Sequence, residues 1–169
     1  LQALGWYDSG ARSFYNTKHP INTPADLEGL KFRVMSNDLY VQMVDSLGGN
    51  ATPMAYSSVY QSLKTGVIDG AENNYPSYDS SGHFEAAKYY SVTQHLILPE
   101  CLCINKGLYD SLSDEEKKLV QEAADASVEV QRAAWAERAE QSKAKVIAAG
   151  IEVNEVADKQ AFQDAMQPV

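Results

Sequence analysis

The sequence predicts an α/β fold in which helices flank a mixed, largely parallel sheet. Between residues 27 and 77, short runs of β-type residues alternate with stretches whose apolar residues have helical spacing. The stretch 114–149 lacks glycine and proline and therefore predicts one long C-terminal helix. The composition, 44% hydrophobic and 22% charged in a chain of 169 residues, is typical of a globular core.

The central stretch is predicted to form strand, helix, strand, helix and strand. Its three strands lie at residues 31–35, 51–53 and 67–72, and the middle one is too short for more than an edge strand. The first helix is indicated by an apolar stripe with the spacing i, i+3, i+4 and i+7, which comprises Tyr40, Met43, Val44 and Leu47. This alternation favours parallel pairing, because a helical crossover returns the chain to the same end of the sheet.

The remaining elements flank this stretch on both sides. Further strands are predicted at residues 1–7, 11–15, 89–95, 98–105 and 151–156, and the first of them reads as buried. Ser113 and Glu116 form a capping box that begins the long helix, which would measure about 54 Å. A short helix at 158–166 is predicted to close the chain.

The cysteines and histidines do not have the spacing of metal ligands. Cys101 and Cys103 are expected to be small buried residues, because free cysteine is among the most buried residue types. Residues two apart on a strand do not easily reach disulfide geometry. His95 is expected to be packed and hydrogen-bonded rather than a ligand. The sequence therefore predicts neither a metal site nor a cofactor.

Charge and motifs exclude several classes of function. The net charge of −9 disfavours nucleic acids and anionic membrane surfaces, which require a basic face. No apolar run approaches the roughly 18 residues that a membrane span needs. The motifs of serine hydrolases, P-loop proteins, dinucleotide-binding enzymes and zinc proteases are absent from the sequence. The motifs therefore give no support to an enzyme.

Polar residues at strand ends indicate where a ligand would bind, because ligands of such sheets lie beyond the carboxyl ends of the strands. Arg33 lies in the first central strand, and Glu72, Asn73 and Asn74 close the last one. A guanidinium binds a carboxylate through two parallel hydrogen bonds, and an asparagine amide can donate to the same anion. The alternative is that Arg33 is a solvated strand-end residue and that the asparagines form a turn.

Two segments carry a resemblance to a known family. The sequence contains LKFRVM and, shortly after it, NATPMAYSSVYQSLKTGVIDGAENN. Both closely resemble the DctP-type solute-binding proteins of TRAP (tripartite ATP-independent periplasmic) transporters. The resemblance extends to GARSFYN and PINTPADLEGLKFRV on one side and to KYYSVTQH and LSDEEKKLVQEAA on the other, and so covers nearly the whole chain.

The resemblance implies roles for individual residues. Arg33 would pair with the carboxylate of an organic acid, Asn73 would contact the same ligand, Arg12 would assist, and Tyr56 would line the pocket. Without the resemblance, Arg12 reads equally well as a surface residue of its strand. Glu72 is expected to accept a hydrogen bond from a ligand hydroxyl, which would favour a polyhydroxylated acid over a plain dicarboxylate.

The resemblance also implies periplasmic capture of an anion for the membrane subunits of a TRAP transporter. The loop at 74–78 is similar to that of members that bind sugar acids such as uronates. Four-carbon dicarboxylates and keto acids remain alternatives, since all of these ligands share the carboxylate. A further alternative is that a truncated lobe acts only as an interaction module and dimerises through apolar helix residues such as Trp135.

The expected organisation is that of one periplasmic-binding-protein-like lobe with a long C-terminal spine helix. Residues 1–112 would form the ligand-binding second lobe, and 113–169 would pack on a first lobe that this sequence does not contain. Members of the family are longer, and their spine helix runs along both lobes. The sequence has no signal peptide and does not begin with methionine, so we expect Leu1 to be an internal position.

Overall fold

The computed structural model describes residues 1–169, which form a mixed α/β structure. The strands are β1 (Gln2–Tyr7), β2 (Ala11–Asn16), β3 (Lys31–Val34), β4 (Asn50–Pro53), β5 (Gly70–Asn73), β6 (Tyr89–Ile97), β7 (Glu100–Ile104) and β8 (Glu152–Glu155). The helices are α1 (Asp38–Ser46), α2 (Val59–Thr65), α3 (Tyr75–Ser80), α4 (Lys106–Ser111), α5 (Asp114–Ala148) and α6 (Lys159–Ala165).

The chain divides into two compact units. The first comprises residues 1–10 and 97–140, and the second comprises 11–96 and 141–169. Strand β8 pairs with β6, so the C-terminal strand belongs to the sheet of the second unit. The predicted boundary at residue 112 separates a ligand-binding lobe from a segment that packs on another lobe, and it stays a prediction. The boundaries between the two compact units lie at other residues.

The second unit is built on a six-stranded sheet of order β4-β3-β5-β2-β6-β8. Strand β3 is parallel to both of its neighbours, β6 is parallel to β8, and β2 is antiparallel to β5. The mixed, largely parallel sheet is thus confirmed, and β4 lies at an edge as its length predicted. A methyl group at Gly70 would lie 2.4 Å from the ring of Phe32 and 2.6 Å from the carbonyl oxygen of Tyr15, so the close approach of β5 to its neighbours requires glycine.

Three tyrosines pack against one another in the core of this unit. The rings of Tyr15, Tyr78 and Tyr90 are buried, with centroids 4.6 to 6.2 Å apart. Two of their hydroxyls donate to backbone carbonyls: Tyr78 to Ala87 at 2.5 Å and Tyr90 to Asn73 at 3.0 Å. The rings therefore bury apolar surface without leaving a hydroxyl unpaired, and the second bond fixes the end of β5.

Helix α3 is an element that the sequence reading missed, because residues 74–78 were interpreted as a loop. Its signals are the N-cap Asn74, whose side chain accepts from the backbone N–H of Ser77 at 2.9 Å, and the proline in its first turn. At the far end of α3, the buried carboxylate of Asp79 accepts from Ser142 at 3.0 Å and Lys145 at 2.5 Å. These contacts fasten the last turns of α5 to the second unit.

The first unit contains a two-stranded antiparallel sheet of β1 and β7 beside α5. The Tyr7 hydroxyl lies 2.8 Å from Ser127 Oγ, and Gln121 donates to the carbonyl of Leu4 at 2.8 Å. Only the face toward α5 is covered, so Trp6 of β1 is 53% exposed. The expectation that residues 1–7 form a buried strand is therefore wrong. Cys101 and Cys103 are likewise exposed rather than buried.

Helix α5 has the predicted start and length. Ser113 and Glu116 form the capping box, with hydrogen bonds of 2.8 and 3.3 Å between their backbone N–H groups and each other's side-chain oxygens. Trp135 is half-buried beside Gly10, so the exposed apolar side chains expected there are instead Leu119 and Val130. No helix of the structure combines the length and the apolar character needed to cross a membrane.

Candidate anion-binding site

Three strands of the second unit bring polar side chains to one edge of its sheet. Strands β3 and β5 run parallel, with Phe32 opposite Gly70, so their carboxyl ends meet at the same edge. Strand β2 runs antiparallel to β5, with Ser13 opposite Asn73, so its first residues lie at that edge too. Arg33, Asn73 and Arg12 therefore converge, in agreement with the strand-end rule that the sequence reading applied.

Arg33 is a buried guanidinium without a carboxylate partner. Its exposed fraction is 5%, and its Nε donates to the carbonyl of Met54 at 3.0 Å. No acidic oxygen lies within ion-pair distance, and burial, together with the nearby charge of Arg12, lowers the pKa of Arg33 below its ordinary value, partly offset by the charge of Glu72. The charge remains, because arginine stays protonated at any physiological pH. The Nη groups are left to bind an anion.

Arg12 is a buried guanidinium that is already paired. Its Nε and Nη2 donate to the two carboxylate oxygens of Glu72 at 2.6 and 2.8 Å, and Nη2 also donates to the Glu72 carbonyl at 3.0 Å. Burial alone would lower the pKa of Arg12 and raise that of Glu72. The hydrogen bonds and opposite charges outweigh burial, so the pKa of Arg12 is raised and that of Glu72 is lowered.

Histidine 95 lies behind this pair. Its fully buried ring stacks on Phe14 with centroids 4.2 Å apart, and its Nε2 lies 3.6 Å from Glu72 Oε2. Its Nδ1 is 2.8 Å from the hydroxyl of Thr93, so the expectation of a packed, hydrogen-bonded histidine is confirmed. Gln94, between Thr93 and His95, has φ of 47°, a left-handed conformation that costs a residue other than glycine about 1 kcal/mol. The backbone is thus strained where it presents His95 to Glu72.

An aromatic side chain covers the unpaired arginine. The Cζ of Arg33 lies 5.5 Å from the ring centroid of Tyr56, which is 42% exposed. On its other flank, Tyr56 contacts the ring of His83, with centroids 5.4 Å apart. His83 is held by the hydroxyl of Tyr15, 2.7 Å from Nδ1, and burial and the charge of Arg33 lower its pKa to about 4. His83 is therefore neutral near pH 7 and adds no charge.

Asn73 ends β5 with its amide oriented by the backbone. Its Oδ1 accepts from the N–H of Asn74 at 2.9 Å, which identifies Nδ2 as the outward group of the amide. Asn73 is buried, with 6% exposure, and its Nδ2 donors have no partner in the chain. An amide in this orientation can donate to an anion through Nδ2.

The five predicted site residues thus lie at one edge, but they differ in what they can offer. Arg33, Asn73 and Tyr56 have free donors or an open ring face, whereas both carboxylate oxygens of Glu72 are occupied by Arg12. A ligand-accepting role for Glu72 stays a prediction. Sequence reasoning missed His83 and His95 as neighbours of the site, because histidines twelve residues apart show no pattern.

The chemistry of this arrangement suits a small anion. It holds one unpaired guanidinium, an amide donor and an aromatic wall at the carboxyl ends of a largely parallel sheet. No group of three histidine, cysteine or acidic side chains is close enough to hold a metal ion. The largely parallel sheet with flanking helices is typical of a lobe of a periplasmic-binding-protein-like fold.

The comparisons with known proteins identify the family. The model of bacterial extracellular solute-binding proteins, family 7 (DctP), matches residues 1–169, and the chain belongs to this family. A solute-binding protein of Chromohalobacter salexigens is 63% identical over 169 residues, covering 100% of this chain and 50% of the relative. The chain therefore spans about half the length of the curated relatives it matches.

Two crystal structures are similar to this chain in fold. A TRAP periplasmic solute-binding protein from Chromohalobacter salexigens with bound D-glucuronate superposes with a TM-score of 0.96 at 63% identity. One from a Sulfitobacter species with bound β-D-galacturonate superposes with a TM-score of 0.95 at 60% identity. In both cases the match covers 98% of this chain and 55% of the other. The α/β fold class with its long helix is thereby confirmed.

Proposed function

We propose that this chain carries the carboxylate-binding lobe of a TRAP solute-binding protein that captures a uronate without transforming it. The single observation that carries the proposal is the buried guanidinium of Arg33, which has no carboxylate partner within the chain. Burying an unpaired charge is unfavourable unless a ligand compensates for it. A ligand carboxylate supplies that compensation, and the resulting pair is strong because both groups are desolvated.

The geometry suggests how the carboxylate is held. Since Nε of Arg33 is bound to Met54, the ligand oxygens would face Nη1 and Nη2, which form a second fork of parallel donors. The Nδ2 group of Asn73 would donate to the same carboxylate or to a neighbouring ring oxygen. Tyr56, half-exposed beside Arg33, would support one face of the sugar ring.

Arg12 and Glu72 would act as a neutral pair at the same edge. Glu72 occupies Nε and both donors of Nη2 of Arg12, which leaves Nη1 without a partner. We infer that Nη1 donates to a ligand oxygen while Glu72 fixes the guanidinium plane. We put this role for Glu72 first because its two side-chain oxygens already accept from Arg12, and acceptance from a ligand hydroxyl stays a prediction.

The charge at the site favours one carboxylate over two. After Arg12 is neutralised by Glu72, Arg33 is the one unbalanced charge at this edge. A uronate brings one carboxylate and several hydroxyls, whereas a four-carbon dicarboxylate would require a second cation. The relatives crystallised with D-glucuronate and β-D-galacturonate support the same ligand class.

Isothermal titration calorimetry of the full-length protein tests this proposal. D-Glucuronate and D-galacturonate should bind, and succinate and pyruvate should bind at least tenfold more weakly. Glucose, which has the ring but no carboxylate, is the matched control and should show no heat of binding. Tighter binding of succinate than of either uronate would contradict the uronate assignment.

The setting of the protein follows from the family and is proposed in the same way. An extracellular solute-binding protein of family 7 would deliver its ligand in the periplasm to the membrane subunits of a TRAP transporter. A dimer of this chain through Leu119 and Val130 of α5 is the alternative partner, because both side chains are exposed. Light scattering of residues 1–169 tests the dimer, since a monomer would exclude it.

A further inference from the structure

Two thiols lie side by side on the surface of the first unit. Cys101 and Cys103 belong to β7, both are exposed, and neither is in a disulfide. Their sulfur atoms are 3.1 Å apart. The two side chains share a face because residues i and i+2 of a strand point to the same side of the sheet.

The strand holds the two thiols together yet hinders their direct bridging. Two residues of a strand span about 6.7 Å between Cα atoms, at the upper limit of disulfide geometry, so a bond between them would be strained and easily reduced. The backbone is fixed by pairing with β1, where Trp6 lies opposite Cys101 and Ala3 opposite Cys103. The pair is therefore a dithiol whose two backbone positions are held at a fixed separation by the sheet.

We propose that Cys101 and Cys103 form a bidentate site for a soft, thiophilic metal or metalloid centre. Thiolates select soft centres over hard ones. No third histidine, cysteine or carboxylate lies close enough to complete a protein cage, so the centre must be one that two sulfurs and its own substituent satisfy. Sulfurs bound at about 2.3 Å to a tetrahedral centre lie roughly 3.8 Å apart, so the pair needs to open by less than 1 Å.

Trivalent organoarsenicals have this chemistry. An arsenic oxide condenses with two thiols: two arsenic–sulfur bonds form, the arsenic–oxygen bond breaks, and the oxygen leaves with both thiol protons as water. Arsenic keeps its oxidation state, so no oxidant or reductant is needed. A single thiol cannot close the ring, and the product is therefore diagnostic of a close pair.

The test uses the reduced, folded full-length protein and phenylarsine oxide as probe. Intact mass spectrometry should show one phenylarsenic adduct, mapped to the peptide that contains Cys101 and Cys103, and the adduct should block alkylation of both by iodoacetamide. Cys101→Ser and Cys103→Ser should each weaken retention of the probe at least a hundredfold while leaving one thiol open to alkylation. Uronate binding, measured by calorimetry, should be unchanged in both variants, which shows that they are folded.

Three outcomes would overturn the proposal. In the first, neither thiol of the folded full-length protein reacts with iodoacetamide, so the face is covered. In the second, either serine variant holds the probe as tightly as the unmodified protein, so the two sulfurs do not act together. In the third, the two thiols are alkylated but no arsenical adduct forms, so their spacing does not suit a chelate.

Discussion

Two arginines at one sheet edge are buried to a similar extent but stand in opposite electrostatic situations. Arg12 is 9% exposed and forks onto Glu72, whereas Arg33 is 5% exposed and binds only a backbone carbonyl. The paired arginine contributes to folding, because removing either partner would leave a buried charge. We expect the unpaired arginine to contribute little to folding, and we propose that it receives a ligand. The comparison therefore predicts that, within one cluster, Arg12 matters mainly for stability and Arg33 mainly for ligand binding.

The largest expected effect is on the stability contributed by the paired arginine. Arg12→Ala should lower the free energy of unfolding by about 3–5 kcal/mol, because it leaves the buried carboxylate of Glu72 without a partner. Urea denaturation followed by circular dichroism measures it. The double variant Arg12→Met with Glu72→Leu should recover most of the loss, since it removes both charges. An Arg12→Ala variant as stable as the wild type would show that the pair does not support the fold.

The unpaired arginine should show the reverse behaviour. Arg33→Ala should weaken uronate binding by about 2 kcal/mol or more, roughly thirtyfold, with little change in unfolding free energy. Arg33→Lys should recover little of that affinity, because an ammonium cannot reproduce the planar fork. Lys31→Ala, an exposed charge on the same strand, is the matched control and should bind normally. Calorimetry of the full-length variants decides, and equal affinities for Arg33→Ala and Lys31→Ala would remove Arg33 from the site.

Acid titration should separate two groups of the cluster by their pH windows. The pKa of His83 is lowered to about 4, so the unfolded chain takes up its proton first and stability falls as pH drops from 6.5 toward 4. The pKa of Glu72 is also lowered, so its stabilisation is lost only below the ordinary pKa of glutamate. The loss of stability due to His83 should total about 3 kcal/mol once the pH has fallen below 4.

A variant of His83 shows which group causes the loss of stability in each pH window. His83→Gln cannot titrate there but can still bond to the Tyr15 hydroxyl, so it should flatten the loss between pH 6.5 and 4 and leave the lower window unchanged. Thermal unfolding at a series of pH values gives the slopes. A His83→Gln curve parallel to that of the wild type across the upper window would show that His83 does not stay neutral in the folded protein.

The smallest effect is expected from the ring beside Arg33. Tyr56→Leu should weaken uronate binding by about 1 kcal/mol, because it removes a cation–π contact and a flat wall, and should hardly alter stability at a half-exposed position. Tyr60→Leu, in helix α2, serves as the control for calorimetry. It removes a tyrosine whose hydroxyl donates to Glu85. Equal affinity in both variants would exclude Tyr56 from the pocket.

Periodicity and strand-end position account for what the sequence predicted. The apolar stripe from Tyr40 to Leu47 is reproduced by α1, and the capping box at Ser113 begins α5 as expected. Arg33 and Asn73 could be placed together because parallel strands bring their carboxyl ends to one edge. These inferences need only local pattern and sheet direction.

The register of paired strands and the burial of each sheet face could not be predicted from the sequence. Phe14 lies opposite Glu72, so Arg12, two residues earlier, reaches Glu72 diagonally across the strands; a shift of one residue would turn it to the other face. Cys101 and Cys103 were expected to be buried because most free cysteines are. A two-stranded sheet covered on one side leaves its other face open, and no feature of the cysteines' own sequence reveals this.

The claim that Arg33 receives the ligand carboxylate is tested most directly by a thermodynamic cycle in the full-length protein. Calorimetry would compare D-glucuronate with its neutral amide, D-glucuronamide, on the wild type and on Arg33→Ala. The wild type should bind the acid at least tenfold more tightly than the amide, and the preference should nearly vanish in the variant. A preference that survives the loss of Arg33 undiminished would contradict the claim and assign the carboxylate to another group.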